Sequence, residues 1–316
     1  MSEGAVRDHL ARGEAHAAAG DTRAATSFFQ AALREAQAAG TLPQPLLEPL
    51  RRAQAYVRQA ALDYQAHLER AVAGAGAGPR FDEAIEILFG RREIYHQQPS
   101  AFYFPGLPQR QFYEREEFEW SAALEDETGV ICEELVALLA SDASFAPYVQ
   151  AEKDRPARDF HGMADDPSWG AFYLWQDGAL VEENAARCPR TVAALSKVPM
   201  SRIGSRTPSV LFSLLRPGAH IPPHHGMLNS RLICHLPLVV PPGCWLRVGN
   251  EAREWEPGKL LVFDDSIEHE AKNPSSEVRV ILLFDIWRPE LTGAERAGVS
   301  AIFKAIDGYG RAPAAA

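Results

Sequence analysis

The sequence predicts an α+β protein in which a helical N-terminal region precedes a jelly-roll β-sandwich or barrel with flanking helices. Three observations support this prediction. Roughly the first 96 residues are rich in Ala and carry apolar residues at helical spacing. The segment GAGAGPR at 74–80 is a flexible break. From Pro208 onward, short apolar runs alternate with turns rich in Gly and Pro, a pattern typical of antiparallel strands.

Residues 1–75 form the predicted helical region. The Ala-rich segment VRDHLARGEAHAAAGDTRAATSFFQAALREAQAAG is interrupted by a Gly-Asp pair, so it predicts two helices. One repeat cannot close its own core, so we expect LLEPLRRAQAYVRQAALDYQAHLERAVA to pack on them as a further helix. A plain helical bundle is the alternative interpretation. Small and aromatic residues stand at spacings that resemble one tetratricopeptide repeat: Gly13, Gly20, Asp21, Ala25, Phe29 and Ala32.

Three further segments complete the predicted domain organisation. Residues 76–99 are interpreted as a linker and a bridging amphipathic helix, FDEAIEILFGRREIYH. Residues 100–300 form the predicted second domain, where the content of aromatic residues and prolines rises and one more helix is expected near ETGVICEELVALLAS. Residues 301–316 are interpreted as a C-terminal tail.

The β-rich part of the second domain consists of short apolar runs separated by turns. Because a jelly roll can hold a small molecule between its two sheets, this architecture predicts a ligand site in the interior. The turns are PGAHIPPHHG, PPG, GNE, EPG and NPSSE. The predicted strands are SVLFSLLR, RLICHLPLVV, CWLRVG, AREWE, KLLVFDD and VRVILLFDIW.

Composition restricts the class of protein. The net charge is −10 and no run of Lys and Arg is present, which argues against binding to nucleic acid or to an anionic membrane surface. No apolar stretch is long enough to span a membrane, and the N-terminus lacks the apolar core of a signal peptide. The four cysteines form no CxxC pair, so we expect reduced thiols and a cytoplasmic location.

Histidines concentrate in HIPPHHGMLNSRLICHLPL, where four occur within nineteen residues. His224 follows a Pro-rich turn at a strand edge, and His269 follows the predicted strand KLLVFDD. Two imidazoles at strand edges of a small barrel could face one metal ion, and imidazole suits iron, zinc or copper. Ordinary non-haem iron sites add a carboxylate two residues after the first histidine, but that position is Gly226. Histidines that serve only as core or surface residues are the alternative.

Arg279 is the second feature that predicts a ligand site. It alternates with Val278 and Val280 in an apolar strand, so its side chain points to the opposite face from theirs. An inward Arg requires an anion, and the guanidinium fork suits a carboxylate. An outward Arg on a solvated face is the alternative. Two histidines and an inward Arg together suggest a metal with a dicarboxylate bound beside it.

Several separated motifs, in this order, resemble the aspartyl/asparaginyl β-hydroxylase family. They are WGAFYLWQDG, VEENAARCPRT, the block PGAH…PHHG…N…RL..HL.L, then W.PGK…FDDS.EHE and R…DIW.PEL. The resemblance covers about residues 100–300. It implies a double-stranded β-helix that uses Fe(II), 2-oxoglutarate and O₂. Some family members carry a tetratricopeptide-like domain before the barrel, which suits residues 1–75.

The resemblance also implies roles for residues that bind metal and co-substrate. His224 and His269 would be the catalytic iron ligands, and the family uses two histidines with no carboxylate, which accounts for Gly226 in the place of an acid. Arg279 would pair with the far carboxylate of 2-oxoglutarate, with help from Ser213. His235 would contact the co-substrate near the metal.

The substrate side is implied less completely. Arg231 and Trp175 are expected to contact the substrate, and Asp265 would orient a metal-bound water. Where animal members of the family carry an Arg two residues before the histidine that matches His235, this chain has Ile233. Arg202, Arg206 and Arg247 are the candidates to compensate, and His225 is interpreted as part of the turn or of the pocket wall.

The predicted activity is therefore hydroxylation by a 2-oxoglutarate-dependent dioxygenase. The leading substrate hypothesis is the β-carbon of an Asp or Asn residue in a protein or peptide. A free or carrier-bound amino acid, or another small molecule, is the alternative within the same chemistry. A non-catalytic helical adaptor with a sensor barrel is the alternative of a different class.

Overall fold

A computed structural model describes residues 3–40, 43–74, 76–141, 145–150 and 162–309. The chain forms two compact units, Met1–Arg92 and Glu93–Ala316. The boundary between them falls within the predicted linker segment 76–99. Residue 75, where the predicted helical region ends, and residues 310–316 of the predicted tail lie outside the described residues. Among the described helices, none combines the length and the apolar character that crossing a bilayer requires.

The first unit is helical, as predicted. Its helices are α1 (Glu3–Ala18), α2 (Thr22–Ala39), α3 (Gln44–Val72) and α4 (Pro79–Leu88). Asp21 caps α2 by accepting a hydrogen bond from the backbone N–H of Ala24 (3.0 Å), and Gly20 adopts the positive φ that ends α1. Gly13 is small because the Phe29 ring packs against it, and a Cβ there would lie 2.5 Å from a ring carbon. The tetratricopeptide-like character of this unit stays a prediction.

The second unit is an antiparallel β-sandwich with flanking helices. Its helices are α5 (Ser121–Glu125), α6 (Thr128–Leu139), α7 (Glu182–Arg187), α8 (Pro189–Leu195) and α9 (Gly293–Gly308). Its strands are β1 (Phe112–Tyr113), β2 (Ala146–Pro147), β3 (Trp169–Gln176), β4 (Ala179–Leu180), β5 (Val210–Leu215), β6 (His220–His224), β7 (Arg231–Val239), β8 (Trp245–Val248), β9 (Glu251–Glu254), β10 (Leu261–Phe263), β11 (His269–Lys272) and β12 (Arg279–Trp287).

The strands form two sheets. The larger sheet has the order β1-β10-β7-β12-β5-β3-β2, with β4 also paired to β3, and the smaller sheet has the order β6-β11-β8-β9. All of these pairings are antiparallel. Apolar residues from both sheets share one buried cluster, so the predicted sandwich is confirmed.

Both faces of the larger sheet are covered, which explains why its central strands are apolar almost throughout. In β12, Val280, Leu282 and Phe284 pack in the cluster that includes residues of α6 and α8. Ile281 and Leu283 belong to the cluster between the sheets. Residues two apart in a strand share a face, so β12 presents Arg279 to the interior of the sandwich.

The C-terminal helix α9 includes residues 301–308, which the sequence pattern had assigned to a tail. Thr292 and Glu295 form a capping box at its start. Val299 and Phe303 bury their side chains in one cluster with Ile203. This apolar contact holds the helix against the sandwich, so only residues beyond the helix could form a tail.

Candidate functional site

A cavity of about 830 Å³ lies between the two sheets. This volume is in the range of small-molecule sites. Its wall is built mainly from the inward residues of β3, β5, β6, β7, β11 and β12, together with the loops that precede β3, β5 and β11. The cavity brings together all the predicted site residues except Trp175: His224, His269, Arg279, Ser213, His235, Arg231 and Asp265.

The two predicted metal ligands lie side by side. His224 ends β6, His269 begins β11, and the antiparallel register pairs these two residues directly. Their ring centroids are 4.1 Å apart, with planes inclined by 50°. Strand pairing thus brings together two imidazoles that are distant in sequence.

Hydrogen bonds to the backbone fix the tautomer of both rings. Nδ1 of His224 donates to the carbonyl oxygen of Pro222 (2.8 Å), and Nδ1 of His269 donates to that of Ile267 (3.1 Å). Because a carbonyl only accepts, the proton lies on Nδ1 and the lone pair on Nε2. Burial, and then the neighbouring His224, keep the pKa of His269 well below its usual value, so the ring is neutral. A neutral imidazole with its lone pair on Nε2 is the form that binds a metal ion.

Packing excludes a carboxylate ligand at position 226. A Cβ on Gly226 would lie 2.1 Å from Oδ2 of Asp265. That carboxylate is held in place by Arg231, whose Nη2 donates to Oδ2 at 2.9 Å. Among the residues that the structure describes, no group of three or more His, Cys, Asp or Glu side chains is placed to hold a metal ion. A metal ion between the two histidines would therefore take its remaining ligands from small molecules.

Arg279 is a buried cation, and the residues that the structure describes place no anion beside it. Its side chain is 1% exposed, and burial lowers its pKa to about 10, so it stays charged at neutral pH. Nη1 donates to the carbonyl oxygen of Ser213 (3.3 Å), and Cζ lies 4.7 Å from the centre of the Trp255 ring. Nε has no hydrogen-bond partner in the described part of the chain, and no described carboxylate lies within ion-pair distance. Burial of an unpaired charge is costly, so this position requires an anionic ligand.

Two neutral donors lie near Arg279. Trp169 donates its indole N–H to Oγ of Ser213 (3.1 Å), which leaves the hydroxyl proton of Ser213 to be donated elsewhere. The indole N–H of Trp255 donates to Nδ1 of His235 (3.3 Å), so the proton of His235 lies on Nε2. Burial, and then Arg279, lower the pKa of His235 well below its usual value. Both side chains can therefore donate a hydrogen bond to an anion.

Sequence reasoning missed Asp285, which lines the same cavity. Its carboxylate accepts hydrogen bonds from the Ser201 hydroxyl and from the backbone N–H of Ser209 (3.0 Å). Burial raises the pKa of Asp285 to about 6, although Arg231 opposes the shift. The signal was present in the sequence, because residues 279, 281, 283 and 285 share one face of a strand.

Trp175 does not line the cavity, contrary to the prediction. A β-bulge in β3 falls between Tyr173 and Trp175, so the alternation of faces shifts by one residue. Tyr173 lines the cavity, whereas Trp175 packs against the buried cluster on the other face of the sheet. A bulge is set by pairing with the neighbouring strand, so the sequence pattern of β3 alone did not reveal it.

Ile233 and the candidate compensating arginines occupy different places. Ile233 lines the cavity beside Asp285 of the neighbouring strand, so an apolar wall replaces the expected charge. Arg206 also lines the cavity, whereas Arg202 and Arg247 do not. Arg247 is instead bonded to Glu268 and Glu270. His225 lies on the cavity wall, and its Nε2 has no partner within the described residues.

A second feature that the sequence did not reveal is a buried ion pair behind the site. Nη1 of Arg288 donates to Oδ2 of Asp264 (2.6 Å), and both side chains are fully buried. Arg288 also donates to the Tyr113 hydroxyl (2.6 Å), and the Gln97 amide donates to Asp264 (2.6 Å). This network fixes the residue next to Asp265 in the loop between β10 and β11.

Comparison with known proteins identifies the family. Residues 125–289 match the family model for aspartyl/asparaginyl beta-hydroxylase. Human aspartyl/asparaginyl beta-hydroxylase is 43% identical over 141 residues, which are 44% of this chain and 18% of that protein. The ornithine lipid ester-linked acyl 2-hydroxylase of Rhizobium tropici is 34% identical over 56% of this chain and 60% of its own length. Human aspartate beta-hydroxylase domain-containing protein 2 is 32% identical over 66% of this chain and 55% of its own length.

The chain therefore matches less than two thirds of the length of each of these relatives. The matched region contains the cavity residues that are predicted to bind a metal ion or the co-substrate. It includes the paired residues His224 and His269 and the buried Arg279. The chain belongs to the aspartyl/asparaginyl β-hydroxylase family.

Proposed function

We propose that this protein is an Fe(II)- and 2-oxoglutarate-dependent hydroxylase of the β-carbon of Asp or Asn residues in a protein or peptide. The observation that carries the proposal is one cavity in which two imidazoles with Nδ1 bonded to the backbone accompany Arg279, which is buried and has no anion beside it in the described part of the chain. Family membership supports the hydroxylase activity.

The residues present fit both the metal and the co-substrate. Two imidazole nitrogens suit Fe(II) and leave coordination positions for a chelating keto acid and for O₂. The dicarboxylate 2-oxoglutarate supplies the anion that Arg279 requires. When they are bound, Fe(II), 2-oxoglutarate and O₂ supply the chemistry that converts a C–H bond to C–OH, with succinate and CO₂ as the other products.

This chain's own residues bind and orient the co-substrate, and they exclude water from it. The Arg279 fork holds the far carboxylate, and the Ser213 hydroxyl and Nε2 of His235 can donate further hydrogen bonds to the anion. Burial of these groups strengthens the pairing because water does not compete. The Nδ1 hydrogen bonds of His224 and His269 hold both rings in the orientation that presents Nε2.

Arg231 is the residue best placed to receive the reacting side chain. It is nearly buried, lines the cavity and keeps one donor, Nε, without a partner in the described part of the chain. A carboxylate or amide oxygen of an Asp or Asn side chain accepts from such a donor. Asp265 keeps Arg231 in place through the 2.9 Å contact, and its Oδ1 can accept a hydrogen bond from water.

The experiment that tests the proposal measures two products at once. The protein is incubated with Fe(II), 2-oxoglutarate and a library of Asp- and Asn-containing peptides. Succinate is quantified, and mass spectrometry detects the gain of one oxygen atom in a peptide. His224→Ala and His269→Ala should abolish both signals and weaken metal binding. His67→Ala is the control, because His67 is an exposed histidine of α3 and does not line the cavity. Full activity of either variant would contradict the assignment of His224 and His269 as metal ligands.

A free or carrier-bound amino acid or another small molecule is the second candidate substrate. The observation that favours it is the Rhizobium relative, which is an ornithine lipid ester-linked acyl 2-hydroxylase, because the relatives of this chain then differ in substrate class. The same assay with free amino acids separates the two candidates. An adaptor without catalysis would release no succinate with any of these compounds.

A further inference from the structure

Arg206 is the cation at the exposed rim of the cavity. It lies in the segment between α8 and β5, and its side chain is 30% exposed. The other two cavity arginines, Arg231 and Arg279, are buried. The rim also carries the exposed residues Gln176 and Met227. A group that pairs with Arg206 must therefore belong to a part of the ligand that emerges from the cavity.

Contacts with α9 hold Arg206 in position through one nitrogen. Its Nη1 lies 3.3 Å from Oδ1 of Asp307 and donates to the Ser205 hydroxyl oxygen. Ser205 itself donates to Asp307 from its backbone N–H (2.7 Å) and from its hydroxyl (2.8 Å). The guanidinium also lies over the Phe303 ring, with Cζ 5.8 Å from the ring centre. The cost of ordering this long side chain is thus met before a ligand arrives.

The opposite edge of the guanidinium has no partner within the described residues. The hydrogen bond to Ser205 and the ion-pair distance to Asp307 both involve Nη1, and neither Nε nor Nη2 of Arg206 donates a hydrogen bond to a described residue. These two N–H groups are parallel and spaced to bind both oxygens of one carboxylate. The edge formed by Nε and Nη2 can therefore bind a carboxylate, in addition to the contact of Nη1 with Asp307.

The charges of the cavity assign this edge to the substrate. Arg279 lies deep in the cavity and is the anchor proposed for 2-oxoglutarate, and Arg231 is already bonded to Asp265. Ile233 contributes no charge to the wall. Asp177 is an exposed acid on the same rim and disfavours a substrate that is acidic throughout. These charges favour a substrate that places one carboxylate at Arg206 over a substrate that is acidic throughout.

We infer that Arg206 is a specificity-determining residue that pairs with an acidic side chain flanking the hydroxylated residue of a peptide substrate. The inference rests on the proposed function for the identity of the reacting residue. It adds a requirement outside that residue, because the rim lies beyond the buried residues that hold metal and co-substrate.

The test compares two synthetic peptides with the same central Asp. In one peptide the flanking residues include Glu, and in the other each Glu is replaced by Gln. Binding is measured by fluorescence anisotropy without O₂, and turnover is measured separately. The wild-type protein should bind the acidic peptide about tenfold more tightly, a difference of about 1.4 kcal/mol. Arg206→Gln should reduce the ratio to about one, through KM and not kcat, and Arg206→Lys should keep part of it.

Arg202→Gln is the matched control, since Arg202 is an exposed arginine of the same segment that does not line the cavity. It should keep the wild-type ratio. Thermal melting of each variant separates misfolding from lost recognition, and Arg206→Lys retains the charge that Asp307 contacts. Equal binding of both peptides by the wild type, no binding of either, or an unchanged ratio in Arg206→Gln would overturn the inference. Selective binding without succinate formation would instead contradict the proposed function and leave the role of Arg206 standing.

Discussion

At the scale of single residues, the environment of Arg279 determines the chemistry of the cavity. The guanidinium of Arg279 is buried, which costs free energy unless an anion accompanies it, and no described carboxylate pairs with it. Within the described part of the chain, Arg279 is therefore a cation without a counter-ion, and a dicarboxylate would neutralise it. This arrangement also explains the apolar strand around it, because the residues of β12 other than Arg279 and Asp285 build the sheet and its two cores.

Arg279→Lys tests this role. Lysine keeps the charge but loses the planar fork, so it cannot bind both oxygens of a carboxylate at once. We expect the KM for 2-oxoglutarate to rise about tenfold or more, which corresponds to roughly 1.4 kcal/mol or more of weakened binding. Steady-state succinate release at varied 2-oxoglutarate measures it. An unchanged KM would show that this guanidinium does not contact the co-substrate.

At the scale of elements, ion pairs from β8 hold the start of β11, where His269 lies, and these ion pairs are outside the cavity. Arg247 of β8 donates through Nη2 to Glu268 (2.9 Å) and through Nε to Glu270, the two residues that flank His269. Its Nη1 donates to the carbonyl oxygen of Gly249 (2.8 Å). Because the neighbours of His269 on both sides are bonded to one guanidinium, the backbone that carries this proposed metal ligand is held at two points.

Arg247→Gln should therefore weaken metal binding. We expect the Kd for Co(II), used as an oxygen-stable probe, to rise on the order of tenfold, comparable to the loss of other groups that orient metal ligands. Arg253→Gln is the control. Arg253 lies in β9 of the same sheet as Arg247, its side chain has a similar exposure, and it also bonds two glutamates, Glu114 and Glu251, but these do not flank His269. If both variants bind Co(II) equally well, the ion pairs of Arg247 do not help to position His269.

At the scale of the whole molecule, buried polar contacts connect the ends of several strands behind the cavity. Arg288 follows β12, Asp264 follows β10, and Tyr113 ends β1. Their hydrogen bonds connect parts of the chain that are far apart in sequence, so the loop with Asp265 depends on all of them. Fixed geometry at the site is thus a property of the folded sandwich as a whole.

Arg288→Gln should destabilise the second unit strongly. It leaves the carboxylate of Asp264 buried without its cation, and breaking a buried pair costs about 3–5 kcal/mol in the free energy of unfolding. Urea denaturation measures the change. Arg110→Gln removes the exposed pair Arg110–Glu117 and should cost less than about 1 kcal/mol. Similar losses in the two variants would mean that the buried network contributes no more than a surface ion pair.

Deletion of the helical unit tests the substrate class. The cavity is lined by residues of the second unit, and each unit has its own buried apolar cluster, so a protein that begins at residue 93 should fold. If the helices bind an extended chain, deletion of residues 1–92 raises KM for a long peptide and leaves KM for a short one unchanged. We expect this outcome for a polypeptide substrate. Equal loss for both peptides together with a lowered Tm would mean that the helices only stabilise the protein.

The sequence by itself determined that a helical region precedes a β-rich domain, that Arg279 and its neighbours Val278 and Val280 point to opposite faces of a strand, and that two histidines lie at strand edges. These features follow from local rules, because alternation in a strand and spacing in a helix assign each residue to a face. It also carried the family motifs around His224 and His269. The same alternation places Asp285 on the face of β12 that carries Arg279.

Only the tertiary structure decided which faces meet and what fills the space between them. The bulge that turns Trp175 away from the cavity arises from pairing with β5, and the close approach of Asp265 to Gly226 arises from packing between a loop and a turn. Arg206 reaches the rim because α9 holds it there. Each outcome depends on contacts between residues far apart in the chain, and such contacts leave no periodic signal in the local sequence.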